Sequence, residues 1–79
     1  MKEVLRFTAS WCGPCKMLAK TLDGMELNAN IEVIDIDEKP DLAVEYMVRG
    51  VPTLVMKDNK DSRLVGAKSA KEIEDWINA

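Results

Sequence analysis

The chain has 79 residues, 47% hydrophobic and 32% charged, with only three prolines and four glycines. That length fits a single domain, residues 1–79, and the composition excludes disorder. The formal charge of −3 is spread over interspersed acids and bases, so there is no basic face to follow a phosphate backbone and nucleic acid is excluded as a partner.

No apolar run reaches the roughly 18 residues needed to cross a bilayer. The first ten residues, MKEVLRFTAS, place Glu3 and Arg6 within a short apolar stretch and lack the core of a secretory signal. The expectation is a cytoplasmic protein with no membrane contact. A reducing compartment of that kind works against a permanent structural disulfide.

Val4 to Phe7 is short, apolar and β-prone, a strand leading into Thr8-Ala9-Ser10. From Pro14 the spacing turns helical, with Met17, Leu18, Thr21, Leu22 and Met25 recurring at three and four and Gly24 ending the run. Ile31 to Ile36 alternates apolar and acidic residues, a second strand with one wet side. Pro40 opens a shorter helix whose inner face holds Leu42, Ala43, Tyr46 and Met47. Arg49-Gly50 interrupts it, and Pro52 starts a third strand, Thr53 to Met56. Lys57 to Lys60 is a turn, making Arg63 to Val65 the return arm of a hairpin.

Ser69 and Glu72 form a capping box before a last helix with Ala70, Ile73, Trp76 and Ile77 on one side. Trp76 and the methionines Met17, Met25, Met47 and Met56 read as core. The order β-α-β-α-β-β-α predicts an α/β fold. The first two strands are parallel and cross over right-handed, and the last two are antiparallel. The result is a four-stranded mixed sheet with helices on both faces.

The only two cysteines stand in WCGPCK, at positions 12 and 15. As a structural staple, a bond closing so short a loop contributes roughly 2 kcal/mol before native strain is subtracted. Structural zinc takes four ligands, and two thiols with no histidine leave a protein-only site incomplete. A cluster shared between two chains stays open as an alternative. Asp35, Asp37, Glu38 and Asp41 are better explained by strand alternation and a turn than by a cation.

Redox exchange suits the arrangement. Cys12 falls where the loop meets the helix, facing unpaired N–H groups and the positive end of the helix dipole. Both favour a thiolate with a pKa below that of a free thiol, and Lys16 adds a nearby positive charge. Cys15 lies three residues on, able to reach the Cys12 sulfur but shielded from solvent. Pro14 sits in the first turn, where its missing donor costs nothing, and Gly13 leaves room for a substrate. Cys12 then attacks a disulfide and Cys15 displaces the reduced product. Trp11, directly before Cys12 in a loop, faces substrate.

With WCGPCK between a strand and a helix, the chain resembles thioredoxin from Val4 onward. Arg49-Gly50-Val51-Pro52-Thr53 resembles the family's cis-proline loop, and Val65-Gly66-Ala67 is a third match. The resemblance implies that Cys12 is the nucleophile, that Cys15 resolves, and that Val51–Pro52 is cis beside the dithiol. It implies that Val51 offers backbone groups to an extended substrate segment, with Trp11, Gly13, Pro52 and Gly66 lining the apolar surface around it.

Compared with full-length thioredoxins, the chain lacks the N-terminal strand and helix, which leaves Ile31–Ile36 at a sheet edge. There Glu32, Asp35 and Asp37 discourage pairing with a second copy, so a monomer is expected. The family's buried aspartate is Arg6 here, its usual lysine partner aligns with Val33, and its helix-kinking proline is Lys20. Arg6 either raises the local positive potential at the thiols or extends to solvent.

The expected activity is reduction of protein disulfides, with no bound cofactor and no metal, only the redox-active Cys12–Cys15 pair. No GxGxxG motif is present, so the electrons come from another protein or from glutathione. Two alternatives stay open. One is a glutaredoxin-like enzyme recharged by glutathione, and the other is a partner-binding module without turnover.

Overall fold

Apolar residues on both sides of one strand decide the layering. In the computed structural model, which describes all 79 residues, Val4 of β1 (Lys2–Thr8) turns to one face while Leu5 and Phe7 turn to the other, all buried. A strand covered on both faces belongs inside the sheet. The order is accordingly β2-β1-β3-β4, with β2 (Ala29–Asp35), β3 (Thr53–Met56) and β4 (Asn59–Val65). β1 pairs parallel with β2 and antiparallel with β3, and β3 pairs antiparallel with β4.

Three helices complete the expected order: α1 (Gly13–Asp23), α2 (Pro40–Glu45) and α3 (Ala70–Ile77). Leu18 of α1 and Ile73 and Ile77 of α3 pack with Val4, Ala29 and Leu54. Leu42 of α2, with Tyr46 just past its end, joins Leu5, Phe7, Ile34 and Val55. Helices therefore cover both faces, as the sequence predicts.

Several boundaries and faces differ. β2 begins at Ala29 rather than Ile31, because its pairing with β1 starts at Lys2↔Ala29. β4 begins at Asn59, three residues after Met56, where a register shift between Val55 and Met56 absorbs extra chain. Met17 is 66% exposed. Cys15, Leu18 and Leu22 define the inner stripe of α1, and Met17 stands about 100° away from Leu18. Met47 is 61% exposed because it has left α2 with φ +53. Ala70 is exposed on the first turn of α3, and Trp76 is half-buried with its indole N–H donating to Ser62 Oγ at 3.0 Å. The Ser69 cap forms as expected, accepting the Glu72 N–H at 3.2 Å.

Candidate active site

The chain leaves β1 through buried Ala9 and turns tightly, with the Cys12 N–H donating to the Ala9 carbonyl at 3.2 Å. Cys12 is the N-cap of α1, with extended φ −91 and ψ 108, and its Sγ accepts the Cys15 N–H at 3.1 Å. A sulfur here takes the place of the oxygen that ordinarily caps a helix, satisfying one orphan donor of the first turn. Pro14 sits inside that turn, where no N–H is missed. Cys12 and Cys15 are joined as a disulfide, with their Cα atoms 5.3 Å apart.

Exposure does not separate the two sulfurs in this state. Cys12 is 4% exposed and Cys15 2%. The bond turns each sulfur onto the other, and Ala9, Ile36 and Val51 close around both. What separates them is position. Cys12 lies at the open end of the helix with its Sγ 3.7 Å from the Val51 carbonyl oxygen, whereas Cys15 is one turn in.

The Val51–Pro52 bond is cis, as the resemblance implies, and Pro52 is buried next to half-buried Val51. Two contacts hold this loop. Buried Thr53 donates its hydroxyl to the Gly50 carbonyl at 2.7 Å, and the Gly66 N–H donates to the Pro52 carbonyl at 2.9 Å. Gly66 has φ +93, a conformation that side chains rarely adopt, so a glycine is required for that reach. The open space above Gly13 holds no protein atom within 4 Å of a built Cβ. A side chain there would meet only what docks.

Trp11 is 67% exposed, and its indole N–H donates to Asp37 Oδ2 at 3.0 Å. Asp37 is in turn positioned by its own backbone, since its N–H donates to Asp35 Oδ1 at 2.8 Å. Nothing in the sequence marks Asp37 or Thr53 as site residues. Their contacts join segments that become neighbours only in the folded sheet, or bridge a single loop. Pro14 and Lys16 are exposed beside the dithiol. The acidic residues of this end form no group arranged to hold a metal.

Arg6 lies opposite Val33 in the β1–β2 register. Half-buried and without an ion-pair partner, it lines a groove of about 220 Å³ with Ala19, Leu22, Asp23, Leu27, Ile31 and Val33. Ala19 and Leu22 are one and two turns past Cys15, so the groove that Arg6 lines runs along α1 away from its dithiol end. Arg6→Ala is expected to leave the pH profile of Cys12 alkylation in the reduced protein unchanged. A rise in the pH at which alkylation begins would show that Arg6 supports the thiolate after all.

A reversible cysteine pair at a helix amino end, beside a cis-proline loop on a four-stranded mixed sheet, defines a thiol–disulfide oxidoreductase. The comparisons agree. The profile described as thioredoxin matches residues 1–79. A thioredoxin of Rickettsia felis is 39% identical over 91% of this chain and 74% of its own length. The mitochondrial thioredoxin of Mus musculus is 39% identical over 94% of this chain and 48% of its own length.

Among solved structures, a point-mutant thioredoxin from Halobacterium salinarum superposes with a TM-score of 0.87 at 36% identity. It matches 98% of this chain and 72% of its own. The oxidised mitochondrial thioredoxin 3 of Saccharomyces cerevisiae gives 0.83 at 34% identity, over 98% and 76%. The chain belongs to the thioredoxin family.

Proposed function

We propose that this protein reduces disulfides in other proteins, with Cys12 as nucleophile and Cys15 as resolving thiol. The observation that carries this reading is the placement of the Cys12 sulfur at the α1 N-cap, accepting the Cys15 N–H, against the Val51 carbonyl. In the reduced protein, the same N–H and the helix dipole stabilise a Cys12 thiolate, worth about 0.3–2 kcal/mol. The thiolate attacks one sulfur of the substrate disulfide, forming a mixed disulfide and releasing the other substrate sulfur as a thiolate. Cys15, deprotonated, then attacks Cys12 Sγ. The second substrate thiolate leaves and the Cys12–Cys15 bond re-forms, so two electrons have passed to the substrate.

Trp11, Val51, Pro52 and Gly66 form the receiving surface around this chemistry. Val51 offers its backbone to an extended segment. Trp11 presents an exposed ring that Asp37 holds in one orientation. Gly13, Pro14 and Lys16 support the dithiol, by leaving room, by setting the first turn and by adding positive charge. The pair works as its own redox group without a bound cofactor or metal.

The protein works as a monomer in the cytoplasm, and a separate reductase returns it to the dithiol. Reduction of a disulfide-bonded test protein, with thioredoxin reductase and NADPH or with glutathione as donor, tests this reading. Turnover is expected with thioredoxin reductase and NADPH. Turnover with glutathione alone would move the protein to the glutaredoxin-like reading.

A further inference from the structure

Four loops meet at the end of the sheet that carries the dithiol, and the strand order β2-β1-β3-β4 fixes their order across it. β1 and β2 run parallel, so segments 9–12 and 36–39 lie side by side, with the Ile36 N–H donating to the Thr8 carbonyl at 3.0 Å. β3 runs antiparallel to β1, which brings segment 49–52 to the same end. Segment 66–68, after β4, comes next, tied to Pro52 through Gly66.

Charge is divided unequally over this row. On the β2 flank Asp37, Glu38 and Asp41 surround a single Lys39, and all four are exposed. On the other flank stand exposed Arg49 and half-buried Lys68, with no acid in 46–56 or in 63–71. Neither cation has a carboxylate partner, because the ion pairs of this chain are Lys60–Glu45 and Lys71–Asp75. The dithiol sits between the two flanks. Neighbouring strands are about 4.8 Å apart, so either flank is within roughly 10 Å of β1, about one Debye length at 0.1 M salt.

We propose that this polarity selects substrates: the preferred disulfide lies in an extended segment with acidic residues on the side over 49–52 and 66–68 and basic residues on the side over 36–41. An extended chain advances about 3.3 Å per residue, so charges within three or four positions of the attacked cysteine reach the flanks. Complementary fields of this kind raise association rates by about 10-fold or more at low salt. Arg49, Lys68 and Glu38 are positioning residues here, since they touch neither sulfur. The proposal rests on the reading of Cys12 and Val51 given above.

Three peptides of equal length test it, each with one cysteine in disulfide linkage to a neutral chromophoric thiol. One carries acids before the cysteine and lysines after it, one the reverse, and one is uncharged. Reduction yields the free peptide thiol, the free chromophore and the Cys12–Cys15 disulfide. The readout is the ratio of the two charged peptides' second-order rate constants with each pre-reduced protein, so a general loss of activity does not disguise it.

One order is expected to react roughly 10-fold faster than the other, with the ratio falling toward one near 1 M salt. The ratio is expected to invert in the combined Arg49→Glu, Lys68→Glu, Glu38→Lys protein. Lys57→Glu, at the opposite end of β3, is expected to keep the wild-type ratio. Equal rates at low salt, or a ratio that survives charge reversal, overturns the proposal. Failure to reduce even the uncharged peptide overturns the dithiol reading itself.

Discussion

Cys12→Ser is expected to abolish disulfide reduction, whereas Cys15→Ser is expected to begin the reaction and fail to finish it. A serine hydroxyl neither ionises near neutral pH nor exchanges with a disulfide, so the first variant loses activity by roughly three orders of magnitude or more. In the second, Cys12 keeps its place at the helix N-cap, although the partner sulfur that would release the product is gone. A mixed disulfide with the substrate therefore accumulates and is read by non-reducing electrophoresis and peptide mapping. The helix start survives both changes, since serine is itself a good N-cap and position 15 donates through its backbone. Loss of activity with thermal stability equal to that of the reduced wild type then separates chemistry from folding. Trapping on Cys15 in the Cys12→Ser protein, at a rate above that on Cys12 in the Cys15→Ser protein, would reverse the two roles.

The chemistry behind that prediction is legible in the sequence, because WCGPCK carries its own local geometry. Pro14 inside a first turn and a strand-like run just before it place Cys12 at a helix start from sequence alone. Punctuation of the same kind (Gly24, Pro40, Gly50 and Pro52) made the element order legible, and the strands and helices appear in that order. Faces were less legible than elements. Met17 and Met47 have apolar side chains at near-helical spacings, but one lies a hundred degrees from the buried stripe and the other beyond the helix end. Hydrophobicity alone does not show which of two adjacent apolar residues points inward.

Contacts between loops were not legible at all. Trp11 and Asp37 are 26 positions apart, and they meet only because β1 and β2 are parallel neighbours whose following turns share one end of the sheet. Asp37 read as one more edge acid, and its role as acceptor for the Trp11 indole follows from the register. Arg6 shows the same limit from another side. Its place opposite Val33 follows from the β1–β2 register, and the groove it lines is closed by Ala19, Leu22 and Leu27, residues that no single stretch of sequence brings together. The cis state of Val51–Pro52 came from family resemblance, as an X-Pro bond is cis only about 5–6% of the time in folded proteins.

Phe7→Ala is expected to have the largest effect on stability of any single core substitution. Phe7 is fully buried, its ring 5.9 Å from that of Tyr46, in the cluster that also holds Leu5, Ile34 and Val55. Truncation leaves a cavity walled by strands that cannot collapse, because Phe7 pairs with Ile34 on one side and Thr53 on the other. Such changes cost about 3–5 kcal/mol. A domain of this size holds about 4–12 kcal/mol in all, so the variant is expected to retain a small fraction of its stability in urea titration.

The loss also reaches the active site. Thr53, whose hydroxyl holds the Gly50 carbonyl, is the register partner of Phe7, and Ala9 and Cys12 follow from the end of the same strand. Reductase activity is accordingly expected to fail at a lower urea concentration than in the wild type, together with far-UV circular dichroism. An activity midpoint well below the structural one would show that the dithiol end loosens before the sheet does. The Tyr46 side of the core would then be only weakly coupled to the chemistry that β1 positions.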